Sequence, residues 1–102
     1  MKTILIIGAQ GTGKTTKAHE LTKDIDSLYV AEINAEYCID ALSGPFQAVD
    51  YKKVFIVEGV NSFFDLDFII KMIGDLELLI ITSQVLKKED CDGLDNLEII
   101  EL

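Results

Sequence analysis

Short apolar runs alternate along the chain with stretches in which apolar side chains recur at helical spacing. Residues 3–7 (TILII), 54–57 (VFIV) and 78–82 (LLIIT) are continuous apolar runs, the pattern of strands buried on both faces. Residues 28–33 (LYVAEI) and 97–102 (LEIIEL) predict two more strands. A helix is expected from about Gly13 to Lys23, with Ala18 and Leu21 facing inward and Lys17 and Glu20 facing solvent. Asn34 is placed to cap a short helix whose apolar positions Cys38, Ala41 and Leu42 fall at i, i+3 and i+4. Ser43-Gly44-Pro45 stops that helix. Ser62, with Asp65 three residues on, resembles a capping box and opens a helix to about Ile73. Gly74 stands where a left-handed C-terminal residue belongs.

Strand–helix alternation of this kind predicts βαβ units around a parallel sheet. Residues 83–96, joining the fourth and fifth strands, just suffice for a parallel crossover containing a short helix. The expected fold is α/β, a three-layer α/β/α sandwich on a five-stranded, mostly parallel sheet.

Composition narrows the picture. The 102 residues predict one domain, residues 1–102, and 49% apolar content argues against disorder. No apolar run approaches the ~18 residues that span a bilayer, and no cleavable signal pattern opens the chain. A cytoplasmic protein with no membrane partner is expected. Nine basic and 18 acidic side chains give a net charge of −9, and all nine bases are lysines, with no arginine. Independent nucleic-acid binding, which needs a basic surface, is not expected. Lys52-Lys53 and Lys87-Lys88 are the only basic pairs and read as solvated turns. Cys38 and Cys91 form neither a disulfide framework nor a zinc site; they read as buried thiols in a reducing compartment.

The chemistry lies in the turn after the first strand, Gly8-Ala9-Gln10-Gly11-Thr12-Gly13-Lys14-Thr15 (GAQGTGKT). It satisfies G-x-x-x-x-G-K-[ST] in full. Glycines let the backbone curl so that successive N–H groups converge on phosphate oxygens. The helix that follows adds its unpaired N–H groups and the positive end of its dipole. Gly8, Gly11, Thr12 and Gly13 thus form a nucleotide cradle. Lys14 is placed for the β- and γ-phosphates, Thr15 for Mg²⁺, and Thr16 for the α-phosphate. A dinucleotide fingerprint fails, because Thr16 occupies the third glycine position.

On these residues the chain resembles a P-loop NTPase. GAQGTGKT is similar to the GPPGTGKT of AAA-type ATPases, with residues 11–15 matching that pattern. The resemblance implies ATP and Mg²⁺ as ligands. It also implies an acidic residue after a hydrophobic strand, at the Walker B position, where Val54-Phe55-Ile56-Val57-Glu58 supplies Glu58 as metal ligand or catalytic residue. A polar sensor is implied at the end of the fourth strand, where Thr82, Ser83 and Gln84 stand; Ser83 is the central candidate. Asn61 and Ser62 are weaker candidates nearby, Ser62 reading first as a helix cap.

The chain also departs from that pattern. AAA-type ATPases end this strand in Asp-Glu, whereas Val57-Glu58-Gly59 supplies one carboxylate for two roles. The run IVEGV is similar to the corresponding strand of uridine-kinase-like enzymes. No Asn-Lys-x-Asp guanine-reading motif and no Asp-x-x-Gly switch is present. An arginine finger cannot come from this chain or from a copy of it. Three readings follow: a slow Mg²⁺-dependent ATPase completed by a protein partner or homo-oligomer, a small-molecule kinase of nucleoside type, and a non-hydrolysing ATP-dependent interaction module. The length leaves a kinase no substrate-binding insertion. The first two readings predict different sheets. An AAA-like core inserts the fourth strand between the first and third, whereas a kinase-like core pairs the first and third directly. His19 is expected to face solvent without a role, and Glu32, Asn34 and Glu36 to form a charged strand-end loop.

Overall fold

Five strands pair side by side, all parallel, in one sheet. The computed structural model describes residues 1–44, 52–73 and 76–102. In chain order the elements are β1 (Lys2–Ile7), α1 (Lys14–Leu21), β2 (Val30–Asn34), α2 (Ala35–Leu42), β3 (Val54–Glu58), α3 (Phe63–Ile73), β4 (Leu78–Ser83) and β5 (Leu97–Glu101). The spatial order is β2-β3-β4-β1-β5, so β4 lies between β1 and β3.

The continuous apolar runs occupy the three central strands, because alternate side chains must meet a buried layer on each face. Leu5, Ile81 and Val57 stand in register across β1, β4 and β3. They join Cys38 and Leu42 of α2 with Leu66 and Ile69 of α3 in one core cluster. Ile4, Ile80 and Ile56 form the matching row on the other face, packed with Ala18 of α1. Ala18 is fully buried, and its small side chain lets α1 lie close to the isoleucine row. The result is a three-layer α/β sandwich with α1 on one face and α2 and α3 on the other. Among the described residues no helix is long and apolar enough to cross a membrane.

Element ends differ from the sequence expectation where local hydrogen bonds compete. The first helix stops at Leu21, short of Lys23, because Thr22 turns its hydroxyl back onto the Ala18 and His19 carbonyls. Leu28 and Tyr29 belong to a 3₁₀ turn, Ser27–Tyr29, instead of the second strand. Asp26 caps that turn by accepting from the Leu28 N–H at 3.0 Å. Asn34 caps α2, accepting from the Tyr37 N–H at 2.8 Å, and Ser62 accepts from the Asp65 N–H at 3.1 Å at the start of α3. The crossover from β4 to β5 carries one 3₁₀ turn, Lys88–Cys91, and its Leu86 and Cys91 join the α2/α3 face. Pro45 and Gly74, expected to end α2 and α3, lie outside the described residues.

Candidate functional site

The connection leaving β1 goes to the α1 face, and the connection leaving β4 goes to the opposite face. The two strands are neighbours, so a crevice opens between their carboxyl ends. Open α/β sheets bind ligands at such a switch point. Residues 8–13, the carboxyl end of β3 at Glu58 and the end of β4 at Ser83 all meet this edge.

The loop owes its shape to its glycines. Gly11 and Gly13 have φ of 85° and 90°, in the left-handed region that L side chains enter at a cost of roughly 1–2 kcal/mol. Gly8 is required for another reason: a Cβ there would overlap Thr12 Oγ1 and meet Leu102 Cβ at 3.3 Å. Thr12 Oγ1 donates to the Ala9 carbonyl at 2.7 Å and the Thr12 N–H to the same oxygen at 3.2 Å, closing the loop's first turn. The Gly8 N–H donates to the Ser83 carbonyl at 3.1 Å, anchoring the loop to β4.

Gly13 begins α1 and provides no side-chain cap, and the first turn holds no acidic residue. Asn34 and Ser62 cap α2 and α3. The leading N–H groups of a helix have no intrahelical partner, so this amino end is open to an anion. A depression of about 380 Å³ lies over it, lined by Gln10, Gly11, Gly13, Lys14, Thr15 and Thr16. Lys14 Nζ folds over the loop and donates to the Gly8 and Ala9 carbonyls at 2.7 and 2.9 Å.

Thr15 Oγ1 donates to Glu58 Oε1 at 2.9 Å, across 43 residues of sequence. Both atoms are hard oxygen donors of the kind Mg²⁺ prefers. Mg²⁺ commonly takes one or two protein oxygens and fills its other positions with water and phosphate. The pair therefore fits such an ion. No group of three or more His, Cys, Asp and Glu side chains able to hold a metal occurs among the described residues.

Gly59, the other half of the Glu-Gly pair, has φ of 84°. Its N–H donates to both the Thr82 carbonyl (3.1 Å) and Thr82 Oγ1 (3.2 Å). A backbone turn against β4 thus accounts for this glycine. The sensor candidates separate. Thr82 is buried and bound to Gly59. Ser83 is fully buried, and its hydroxyl accepts from the Val85 and Leu86 N–H groups at 3.3 and 3.0 Å. Gln84 alone of the three is exposed.

His19 is exposed, as the sequence predicts, but it meets Glu32, which lies in a strand and not in a strand-end loop. Glu32 lies within β2, and His19 Nε2 is 2.9 Å from Glu32 Oε2. A carboxylate only accepts, so the imidazole nitrogen carries the hydrogen. This hydrogen bond holds the Glu32 carboxyl below its ordinary value against the opposing effect of partial burial. No local motif announces the pair; the only signal is that His19 follows Thr15 by four residues, on the same helix face. Cys38 and Cys91 are buried in the α2/α3 core as free thiols. Comparison with protein-family models, with curated proteins and with solved structures finds no match to this chain.

Proposed function

We propose that the chain is an ATP-binding core of the P-loop class, working as a slow Mg²⁺-dependent ATPase that a partner completes. One observation carries the reading. The GAQGTGKT turn joins a strand to an uncapped helix, and its Thr15 hydroxyl meets Glu58 at 2.9 Å. The curled backbone and the open first turn of α1 would bind phosphate oxygens. Lys14 would exchange the Gly8 and Ala9 carbonyls for phosphate, a stronger partner because both groups are charged. Thr15 and Glu58 would hold Mg²⁺, which when bound neutralises charge developing on the transferred phosphoryl group. Gln84, exposed at the end of β4, takes over the sensor role in this reading, with Ser83 as its buried anchor.

Position of β4 between β1 and β3 supports the ATPase reading over the kinase reading. Slow turnover follows from two absences in the sequence. An arginine finger commonly contributes ~10³–10⁵ to the rate, and this chain has no arginine. A second carboxylate directly after Glu58 is also missing, since Gly59 stands there. That second absence favours the non-hydrolysing module as the alternative reading.

The test is thermal denaturation with ATP, ADP and GTP, each with and without Mg²⁺, for the wild type and Lys14→Ala. Ligand at about 100 times its Kd stabilises the native state by about 2.7 kcal/mol. In a domain this size that corresponds to a rise in Tm on the order of 10–20 °C. Lys14→Ala is expected to fold and to lose this rise; an undiminished rise in the variant refutes the assignment. ADP formed in the same samples separates a slow ATPase from a module that only binds.

A further inference from the structure

Two cross-links join α1 to the neighbouring strands, and they lie in step. Thr15 and His19 are one helical turn apart, so their side chains stack on one face of α1. In the sheet, Glu32 is in register with Ile56, and Asn34 with Glu58. Ile56 packs with Ala18 of α1. Side chains two apart in a strand share a face, so Glu32 and Glu58 both stand on the α1 face. The helix spacing matches the strand spacing. Thr15 reaches Glu58 at 2.9 Å and His19 reaches Glu32 at 2.9 Å, and the two glutamates are diagonal neighbours on paired strands, so a Glu32 carboxylate fixed by His19 is a like charge that turns Glu58 toward Thr15.

The arrangement is unequal along its length. Glu32 has a strong donor in His19. Glu58, nearer the loop, accepts from the neutral hydroxyl of Thr15 on the helix side. Two adjacent carboxyls concentrate negative charge, and a divalent cation at Thr15 and Glu58 would balance it. The His19–Glu32 pair is half-exposed, with side chains 55% and 41% accessible. Exposed ion pairs add little to stability, so stabilising the fold is a weak reason for its presence.

We propose that His19 and Glu32 form a positioning pair for Glu58, holding its carboxylate toward Thr15 so that the two bind the divalent cation that accompanies a nucleotide. The inference rests on the nucleotide-binding reading above and names two residues that reading does not use. Groups that orient a metal ligand typically contribute 10–100-fold to metal affinity. The low end, about tenfold, is expected for a half-exposed pair.

The experiment titrates the full chain with MgCl₂ at fixed ATP and reads the midpoint of the Mg²⁺-dependent rise in Tm. The variants are Glu32→Gln, which keeps the side chain's shape, His19→Ala, His19→Gln and the Glu32→Gln/His19→Ala double variant. Each is expected to raise the Mg²⁺ midpoint about tenfold while leaving the ATP response in EDTA unchanged. The double variant is expected to match the single ones, because the two residues act as one unit. His19 gives the sharpest reading. If the pair acted only through its charge, removing the donor from Glu32 would strengthen the negative field and lower the midpoint; loss of positioning raises it. An unchanged or lowered midpoint in His19→Ala overturns the proposal, as does a change of equal size with and without Mg²⁺. A wild type that answers to ATP under no condition defeats the nucleotide-binding reading itself, and this inference with it.

Discussion

Replacing Gly13 by alanine tests the loop geometry with little steric interference. Gly13 has φ 90° and ψ 28°, and a Cβ added there meets nothing within 4 Å. The cost is therefore conformational: about 1–2 kcal/mol for placing an L-residue in the left-handed region. Alanine also restricts the unfolded chain, which offsets about 0.4–1 kcal/mol. The net loss is about 1 kcal/mol. At about 4–8 °C per kcal/mol for a domain of this length, Tm falls by about 5 °C. Gly44 provides the control. Its added Cβ also meets nothing within 4 Å, and its φ lies outside the left-handed range. Gly44→Ala should retain only the unfolded-state gain, about 0.4–1 kcal/mol. Thermal denaturation without nucleotide, followed by far-ultraviolet circular dichroism, should separate the two variants by roughly 5–15 °C. Equal Tm values for Gly13→Ala and Gly44→Ala would refute the left-handed entry into α1 and the curled backbone argued from it.

Two further predictions concern packing and protonation. Gly8→Ala drives a Cβ into Thr12 Oγ1, so adding Thr12→Ala, which removes that hydroxyl, should recover part of the lost stability; strictly additive losses in urea denaturation would contradict the overlap. Burial pushes the Cys38 thiol up from 9.0 to about 11, so between those values the native state keeps a proton that the unfolded chain releases. The stabilisation from the neutral thiol is complete below pH 9 and is lost as pH rises toward 11. The stability difference between wild type and Cys38→Ala should therefore shrink across that window; a difference independent of pH would count against a buried, protonated thiol.

The strands were legible because the sheet is covered on both faces. Thr3-Ile4-Leu5-Ile6-Ile7 reads as apolar throughout only because Ile4 and Ile6 meet α1 while Leu5 faces α2 and α3. The loop was legible because GAQGTGKT fixes residue types at every position its backbone requires. Element ends were not, since they depend on single side chains that compete for backbone groups: Thr22 at the end of α1 and Asp26 before β2. The fate of Ser83 needed the strand order. Its strand lies inside the sheet beside β1, which buries the strand end and turns its hydroxyl to capping the next turn. His19 and Glu32 needed more still. Their meeting depends on the roll of α1 and on the register of β2 against β3, neither of which leaves a mark in a sequence window.

Charge and loop geometry together define how such a site would select its ligand. The chain carries a net −9, which repels a polyanion from a distance. At physiological ionic strength that field fades over about 8 Å, so recognition falls to groups in direct contact. Four lysines outside the loop pair with carboxylates: Lys2 with Glu98, Lys17 with Glu20, Lys53 with Glu77 and Lys71 with Asp67. Lys14 instead rests on two neutral carbonyls of its own loop. Each of those bonds is worth about 1 kcal/mol net, less than the charge-assisted bonds a phosphate would provide. Lys14 is thus held over the cradle by partners that a phosphate can displace, whereas a lysine paired to a carboxylate would have to give up a full counter-charge. On the proposed reading, a polyphosphate would satisfy the lysine, the open helix end and, through its divalent cation, the Thr15–Glu58 pair at once. A lone carboxylate, which brings no divalent cation, would leave the Thr15–Glu58 pair unmet, so the same negative surface that weakens long-range attraction would sharpen the choice among anions at contact.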